Sequence, residues 1–443
     1  MIDEPDVAGN EERIDVAISQ REFAEQVVRQ LVDAGYTALW AGGCVRDLLV
    51  GREPKDYDVA TSARPEQVRE VFGKRRTLSV GESFGVIVVL GPKSAGQVEV
   101  ATFRTDGNYL DGRRPESVVF SSPEEDAQRR DFTINGMFYD PLKKAIMDFV
   151  GGEKDLAAGI LRAIGDPHAR MEEDKLRMLR AVRFAATFEF ELDEATADAV
   201  RLMAAQISVV SVERITQELR RMLVDQHRYR AIELCDDVGL LLRVLPELKP
   251  VVSESERWQR LLRTLRLLIE PEFALVFAIL LDSVVEVAES GPQGDCRTLG
   301  VELAEKAGRR LKLSNHEIDD ACWLLKHRRS LDGASMLSLS PLKRVLSQKL
   351  APDLIALIRV RALAHGLQPG DAMFCEDYLR TTSREIIDPS PLISGDDLIN
   401  AGFRPGPRFK EVLDKVRDAQ LELRIGTFAE ALEMATRLVA GVQ

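Results

Sequence analysis

From Trp40 to Thr61 the chain reads Trp-Ala-Gly-Gly-Cys-Val-Arg-Asp-Leu-Leu-Val-Gly-Arg-Glu-Pro-Lys-Asp-Tyr-Asp-Val-Ala-Thr. This stretch permits few local folds. An apolar run over Thr37–Trp40 meets Gly42-Gly43, which lets the backbone turn tightly and approach another group closely. A helix starting near Cys44 then points its N-terminal amides at that turn, an arrangement suited to phosphate. The next apolar run, Tyr57–Ala60, predicts a strand on which Asp56 and Asp58 project from one face, because side chains alternate with period two. Two like-charged oxygen donors on one face make a poor structural feature and a good site for Mg²⁺. Arg46, three positions after Gly43, can extend a guanidinium toward the same phosphates, whereas Asp47 is read as a local cap or salt-bridge partner.

Further short apolar runs at Val86–Leu90 and Val98–Phe103 alternate with helical stretches such as Pro65–Phe72, where Pro65 suits a first turn. They extend the pattern to an α/β head of roughly 150 residues. Helical periodicity begins at Arg21, behind an acidic, polar N-terminal extension (1–20). After about Gly165 the texture changes to long helices rich in Ala, Leu, Arg and Glu. Gly, Pro and Ser interrupt them near Gly239, Pro246–Pro250, Gly291–Gly294, Ser338–Pro341, Gly366–Gly370 and Pro389–Pro391. The apolar run inside Pro271–Glu289 is too short to span a membrane and is read as buried core. A length of 443 residues exceeds a single hydrophobic core.

Bulk composition excludes some classes. A hydrophobic share of 45% with 30% charged residues describes a globular protein and no disordered class. No signal-peptide core precedes the head. The five cysteines are scattered without a Cys-x-x-Cys pair, which argues against zinc and disulfides and for a reducing cytoplasm. The net charge of −12 argues against nucleic acid only as a whole-molecule average, since a local basic stripe suffices.

Three further segments carry chemistry. In Val98-Glu99-Val100-Ala101-Thr102-Phe103-Arg104, Glu99 sits among β-branched residues. It is either a third carboxylate beside the metal site or an outward-facing strand residue. In Asp126-Ala-Gln-Arg129-Arg130-Asp131-Phe-Thr-Ile-Asn135, a helical reading groups Arg130, Asp131 and Asn135 in neighbouring turns. Arg130 can neutralise phosphate and Asp131 can accept from a ribose hydroxyl; an ion-paired helix end is the alternative. In Glu172-Glu173-Asp174-Lys-Leu-Arg177-Met-Leu-Arg180-Ala-Val-Arg183-Phe184, positions 173, 177, 180 and 184 share a helical face. Asp174 and Arg177 can read a base edge by accepting and donating, or form a surface pair worth about 0.5 kcal/mol. Arg177, Arg180 and Arg183 can continue a phosphate-binding stripe.

Taken in order, these segments resemble the class II tRNA nucleotidyltransferase and bacterial poly(A) polymerase family. Gly42-Gly43-Cys-Val-Arg46-Asp with Asp56-Tyr-Asp58 resembles its catalytic motif, Arg129-Arg130-Asp131-Phe-Thr-Ile-Asn135 its ribose-selecting motif, and Glu173-Asp174-Lys-Leu-Arg177 its base-selecting motif. Asp106–Pro115 is similar to its flexible loop, and Ser211–Leu219 to its neck motif. A weaker echo of a tail segment occurs at Ile393–Leu398 and Gly402–Pro407. The resemblance implies an α+β nucleotidyltransferase head with a mixed sheet (21–165), followed by an all-α neck with nucleobase-binding helices (166–225), a helical body (226–335) and an RNA-binding helical tail (336–443). It implies transfer of CMP and AMP from CTP and ATP to the 3′ end of tRNA, with Mg²⁺ ions held by Asp56 and Asp58. No membrane partner is implied, and the oligomeric state is left open.

Lys326-His-Arg328-Arg329 and Arg359-Val-Arg361 are candidates either for RNA backbone contacts or for solvated surface charge. The His-Asp pair of a second, phosphohydrolase site found in some relatives is not matched, since Leu281-Asp282 carries no His. Gly136 stands where Ala or Ser is usual, which should cost helix propensity and little function. The presence of the loop favours CCA or A addition over CC addition alone. Sister activities are A addition and poly(A) synthesis, and a catalytically dead nucleotide-binding or RNA-binding protein is the reading from another class.

Overall fold

The computed structural model describes residues 18–79, 85–106, 118–289, 298–404, 406 and 408–439. Among the sequence readings, residues 107–115 of the loop, the interruption at Gly291–Gly294, and Pro405 and Pro407 of the tail echo lie outside them. The chain divides into two compact units, one ending at Val210 and one beginning at Ser211.

The first unit opens with α1 (Gln20–Asp33), whose N-terminus is closed by a capping box between Ser19 and Glu22. Its face of Phe23, Ala24, Val27, Val28 and Leu31 is buried. There follow β1 (Ala38–Ala41), α2 (Gly43–Leu49), β2 (Asp58–Thr61), α3 (Pro65–Phe72), β3 (Thr77–Leu78), β4 (Val86–Leu90) and β5 (Gln97–Thr102). A short ribbon, β6 (Arg104–Asp106) with β7 (Val118–Phe120), leads to α4 (Pro123–Gln128), β8 (Phe138–Asp140), β9 (Ala145–Met147) and α5 (Gly152–Ala158).

Seven strands form one mixed sheet in the order β3-β4-β5-β2-β1-β8-β9. Only β2 and β5 run parallel within it; the other neighbours are antiparallel. One face packs against α1 and α3 through Ala38, Trp40, Val59, Ile87, Val89, Val98 and Val100. The opposite face carries Leu39, Ala41 and Ala60 under Phe103, Ala127 and Phe138. Both faces of the sheet's centre are therefore covered, and every residue of β1 is buried. Alternation then places Asp58, the first residue of β2, and Glu99, within β5, on the same side as Ala60.

Beyond the sheet, β10 (Ile160–Leu161) pairs in parallel with β11 (Glu191–Leu192), flanking α6 (Pro167–Glu173) and α7 (Arg177–Thr187); α8 (Glu194–Met203) follows. Every regular element among the second unit's described residues is a helix. Helix Phe273–Glu289 runs through its core, with every position from Phe273 to Asp282 buried, as the apolar run predicted. No described helix is long and apolar enough to cross a membrane.

The second unit also corrects a reading of the sequence. Arg328 is neither an RNA contact nor a solvated charge: it is 6% exposed, hydrogen-bonded to the buried Asp282 and, at 2.7 Å, to Glu289. Arg329 reaches Glu289 at 2.6 Å, Arg359 pairs with Glu376, and Arg361 donates to the Arg328 carbonyl at 2.9 Å. A buried guanidinium must be paired, and Asp282 supplies the partner.

Candidate active site

The glycine turn is a backbone requirement. Gly42 adopts φ 69° and ψ −122°, a conformation that side chains disfavour, and its amide donates to the Met137 carbonyl at 3.2 Å. A Cβ at Gly42 would lie 2.9 Å from Nη1 of Arg130, so that guanidinium packs directly over the turn. Gly43 opens α2 without such strain. Cys44, next along, is buried; its thiol donates to the Ala41 carbonyl at 3.3 Å, and burial pushes it up to about 11. It is a packing residue and no nucleophile.

The carboxylates gather at the end of the central strands. The strand begins at Asp58, so Asp56 lies in the irregular segment before it rather than on the predicted strand. Asp58 stands in register with Glu99 on the parallel neighbour β5. Both are open to solvent, while Val98 and Val100 on either side of Glu99 are buried. Asp58 is pushed up to about 6, first by the protein packed around it, then by the negative charges of Glu99 and Asp56, against the opposing pull of Arg130. Three acidic groups with one guanidinium near them form a site short of positive charge. Its hard oxygen donors suit a divalent cation of the Mg²⁺ type. Among the described residues, no group of three His, Cys, Asp or Glu side chains is assembled as a metal cage.

The Arg129–Asn135 segment is not the continuous helix the spacing predicts. It leaves α4 after Gln128, forms a turn, and resumes as a 3₁₀ turn over Thr133–Asn135. The break has a local cause: Asp131 Oδ1 accepts from the Phe132 amide at 2.8 Å, and Phe132 bridges to Ala163. Gly136 ends that turn, where a Cβ would lie 2.7 Å from Val150 Cγ2 and 3.0 Å from Ile164 Cδ1. The glycine thus serves close packing, not helix propensity.

A buried polar chain runs from this segment in both directions. Arg46, 8% exposed, donates through Nη1 to Asn135 Oδ1 at 2.6 Å and through Nε and Nη2 to Asp47 Oδ1 at 2.9 and 2.7 Å. Its guanidinium also lies 5.1 and 4.4 Å from the ring centroids of Phe184 and Phe188. Asn135 Nδ2 donates to Asp131 Oδ1 at 3.0 Å, and Arg180 donates to Asp131 Oδ2 at 2.9 and 2.6 Å. Burial raises the Asp131 carboxyl, but Arg180, Asn135 and Arg177 outweigh it and hold the group down at about 2. Arg130, in turn, donates to Asp126 Oδ2 and to the Asn135 carbonyl, over the ring of Phe138.

The predicted helix through Glu172–Phe184 is also two helices. Asp174 adopts an extended conformation between α6 and α7, and its Oδ1 accepts from the Leu176 amide at 3.0 Å, a turn that competes with helix. Arg177, 9% exposed, opens α7. Its Nη1 donates to the Arg170 carbonyl at 2.9 Å and pairs with Glu173, while Nη2 donates to the Arg129 carbonyl at 3.2 Å. The guanidinium of Arg183 lies 4.0 Å from the centroid of Phe184, the ring that Arg46 and Arg180 also approach.

Asp56, Asp58 and Glu99 therefore form one end of the candidate site, with Gly42, Gly43 and Arg130 beside it. Arg46, Asp131, Asn135 and Arg180 form the wall that joins this end to α7, and Asp174 and Arg177 lie at the α6–α7 break. Sequence reasoning missed Asp126 and the ring of Phe188, while Phe184 was placed on the helical face it shares with Arg177 and Arg180. Asp126 was signalled by its spacing, three and four residues before Arg129 and Arg130; the ring of Phe188 gave no local signal.

Comparison with known proteins agrees with this architecture. Residues 38–162 match the family model described as the poly A polymerase head domain, and residues 189–252 match a probable RNA and SrmB-binding site of polymerase A. A CCA-adding enzyme of Geobacillus thermodenitrificans is 35% identical over 402 residues, 88% of this chain and 90% of the relative. Poly(A) polymerase I of Escherichia coli is 39% identical over 254 residues, 54% of each chain. Among solved structures, the Bacillus stearothermophilus CCA-adding enzyme in complex with CTP superposes with a TM-score of 0.76 at 28% identity, covering 95% of this chain and 98% of that one.

Proposed function

The chain belongs to the family of CCA-adding enzymes and bacterial poly(A) polymerases, and on that premise we propose that it completes the 3′ end of tRNA by adding CMP and AMP from CTP and ATP, releasing pyrophosphate. The observation that carries the reading is the placement of Asp58 in register with Glu99 beside the Gly42 turn, in a chain that matches CCA-adding enzymes along most of its length. The match to poly(A) polymerase supports a second reading, A-only or poly(A) addition, but extends over only 54% of the chain.

Enzymes of this family generally use divalent metals. In this chain Mg²⁺ would be held by Asp56 and Asp58, with Glu99 adjacent. Mg²⁺ characteristically takes one or two carboxylates together with substrate phosphates rather than a complete protein cage. When bound, it supplies Lewis acidity that eases deprotonation of the attacking 3′ hydroxyl and offsets charge on the leaving pyrophosphate. Gly42 and Gly43 let the backbone approach the triphosphate, and Arg130 adds a fixed positive charge beside them. Arg46, Asp131, Asn135 and Arg180 hold the ribose side of the pocket rigid, since each is already bonded to another of the set. Asp174 and Arg177 present acceptor and donor to the incoming base, with Arg183 continuing the basic face of α7. Protein side chains so take the place of a nucleic-acid template. The described cysteines are free, which supports residence in a reducing cytoplasm.

The test is incubation with Mg²⁺, tRNA lacking its 3′ end, and labelled CTP or ATP, separately and together. CMP incorporation followed by a single AMP is expected. Long A tracts or AMP alone would move the protein to the sister activities, and no incorporation with any nucleotide would overturn the enzyme reading. Asp58→Ala should abolish incorporation while leaving tRNA binding nearly intact; equal loss of both would contradict the metal assignment.

A further inference from the structure

Asp126 is 1% exposed, on the short helix α4. Its Oδ1 accepts from Nε of Arg129 at 2.9 Å, from Nη2 of Arg129 at 2.8 Å and from the Arg104 amide at 3.2 Å. Its Oδ2 accepts from Nη2 and Nε of Arg130 at 2.9 and 3.2 Å. Five donors on one carboxylate are more than a local ion pair at a helix end requires.

The two arginines serve different parts of the site. Arg130 reaches the glycine turn, where its Nη1 abuts Gly42 and donates to the Asn135 carbonyl at 3.3 Å. The guanidinium of Arg129 also donates to the Arg104 carbonyl at 3.1 Å, and its own backbone carbonyl accepts from Nη2 of Arg177 at 3.2 Å. Without the carboxylate, two guanidinium groups would face each other across a buried site, and both would move apart. The carboxyl of Asp126 is held below the usual range: burial raises it, but Arg130 and Arg129 outweigh that effect, so it stays ionised. It touches neither the glycine turn nor Arg177 directly.

We propose that Asp126 is a positioning residue that sets Arg130 over the glycine turn and, through the backbone of Arg129, Arg177 at the base-reading break, so that phosphate placement and base selection share one buried anchor. The proposal rests on the reading that Arg177 contacts the incoming base. An alternative role, fastening α4 to β6 through the Arg104 amide, would stabilise the fold without affecting which nucleotide is chosen.

Asp126→Asn separates the two roles. It keeps the shape and an oxygen for the Arg104 amide but removes the charge. Full-length wild type, Asp126→Asn and Arg177→Ala are compared for incorporation of all four nucleotides onto truncated tRNA, with kcat and KM resolved and melting temperatures recorded. For Asp126→Asn, kcat for CTP should fall by ~10- to 100-fold, the scale of a displaced positioning group. Discrimination of CTP and ATP against UTP and GTP should fall by ~10-fold, the scale of one base-edge contact. The KM for tRNA should be unchanged, and the double variant Asp126→Asn/Arg177→Ala should discriminate no worse than Arg177→Ala alone.

Wild-type discrimination in folded Asp126→Asn would overturn the proposal and leave Asp126 a fold anchor. Should Asp126→Asn fail to fold, Arg129→Lys keeps the positive charge but loses the paired donors; unchanged discrimination in that variant also overturns it. Intact discrimination in Arg177→Ala would instead overturn the base-reading premise, and with it the Arg177 branch of the proposal.

Discussion

Gly42 and Gly43 are adjacent and chemically identical, yet alanine at the two positions should have different consequences. At Gly42 the backbone sits at φ 69° and ψ −122°, where a Cβ costs about 1–3 kcal/mol in strain. That Cβ would also stand 2.9 Å from Arg130 Nη1 and must push the guanidinium off its bonds to Asp126 and the Asn135 carbonyl. Losing a hydrogen bond to a charged group adds about 1.5–3 kcal/mol. The sum is about 2.5–6 kcal/mol, and in a unit ending at Val210 it should lower the melting temperature by on the order of 10 °C. At Gly43 the nearest atom to a new Cβ is Arg46 Nη2 at 3.6 Å, ordinary contact. Alanine suits the start of a helix, so Gly43→Ala should change stability by less than about 1 kcal/mol. On the proposed reading its effect should appear instead as a raised KM for the nucleotide, a methyl then standing between backbone and triphosphate. Calorimetry on both variants with a nucleotide titration reads both effects. Equal melting shifts in the two variants, or none in Gly42→Ala, would refute the geometry of the turn and of Arg130.

Three other perturbations test the charge and packing of the site. Asp58, pushed up to about 6 from an ordinary 3.8, holds its proton more tightly folded than unfolded. Its contribution to stability therefore falls as pH rises through that window; Mg²⁺ should restore it, so the Mg²⁺-induced gain in melting temperature should grow between about pH 5 and 8 and vanish in Asp58→Asn. Asp131 has the opposite sign: held at about 2 against an ordinary 3.8, it contributes stability above that ordinary value and loses it as pH falls toward 2. The shift corresponds to about 2 kcal/mol, the loss expected for Asp131→Asn at neutral pH in a denaturant titration. Gly136→Ala would place a Cβ 2.7 Å from Val150 Cγ2 and 3.0 Å from Ile164 Cδ1, and should lower the urea midpoint by the equivalent of about 1–3 kcal/mol.

Much of the fold follows from local pattern. The apolar face of α1, the strand runs and the buried helix Phe273–Glu289 are each written in periods that the backbone obeys wherever the segment lies. The positions of two breaks and the burial of one charge were not legible. Asp131 and Asp174 each accept from a nearby backbone amide, and the helix pattern around them conceals those turns. Arg328 reads as surface charge beside Lys326 and His327 until Asp282, on another helix, is brought to it.

By itself, then, the sequence determined the chemistry on offer: a glycine turn before a helix, closely spaced carboxylates, and arginines at helical spacing, because these depend on residue type and short-range geometry. Only the tertiary structure decided which of those groups are available and which are already engaged. Strand order places Glu99 beside Asp58, although neither residue's sequence neighbours encode the pairing. Packing of α7 against the Gly42 segment places Arg46 between Asp47, Asn135 and two phenylalanine rings. Long-range contacts of this kind join groups far apart in the chain, and a buried charge takes whichever partner the fold delivers to it.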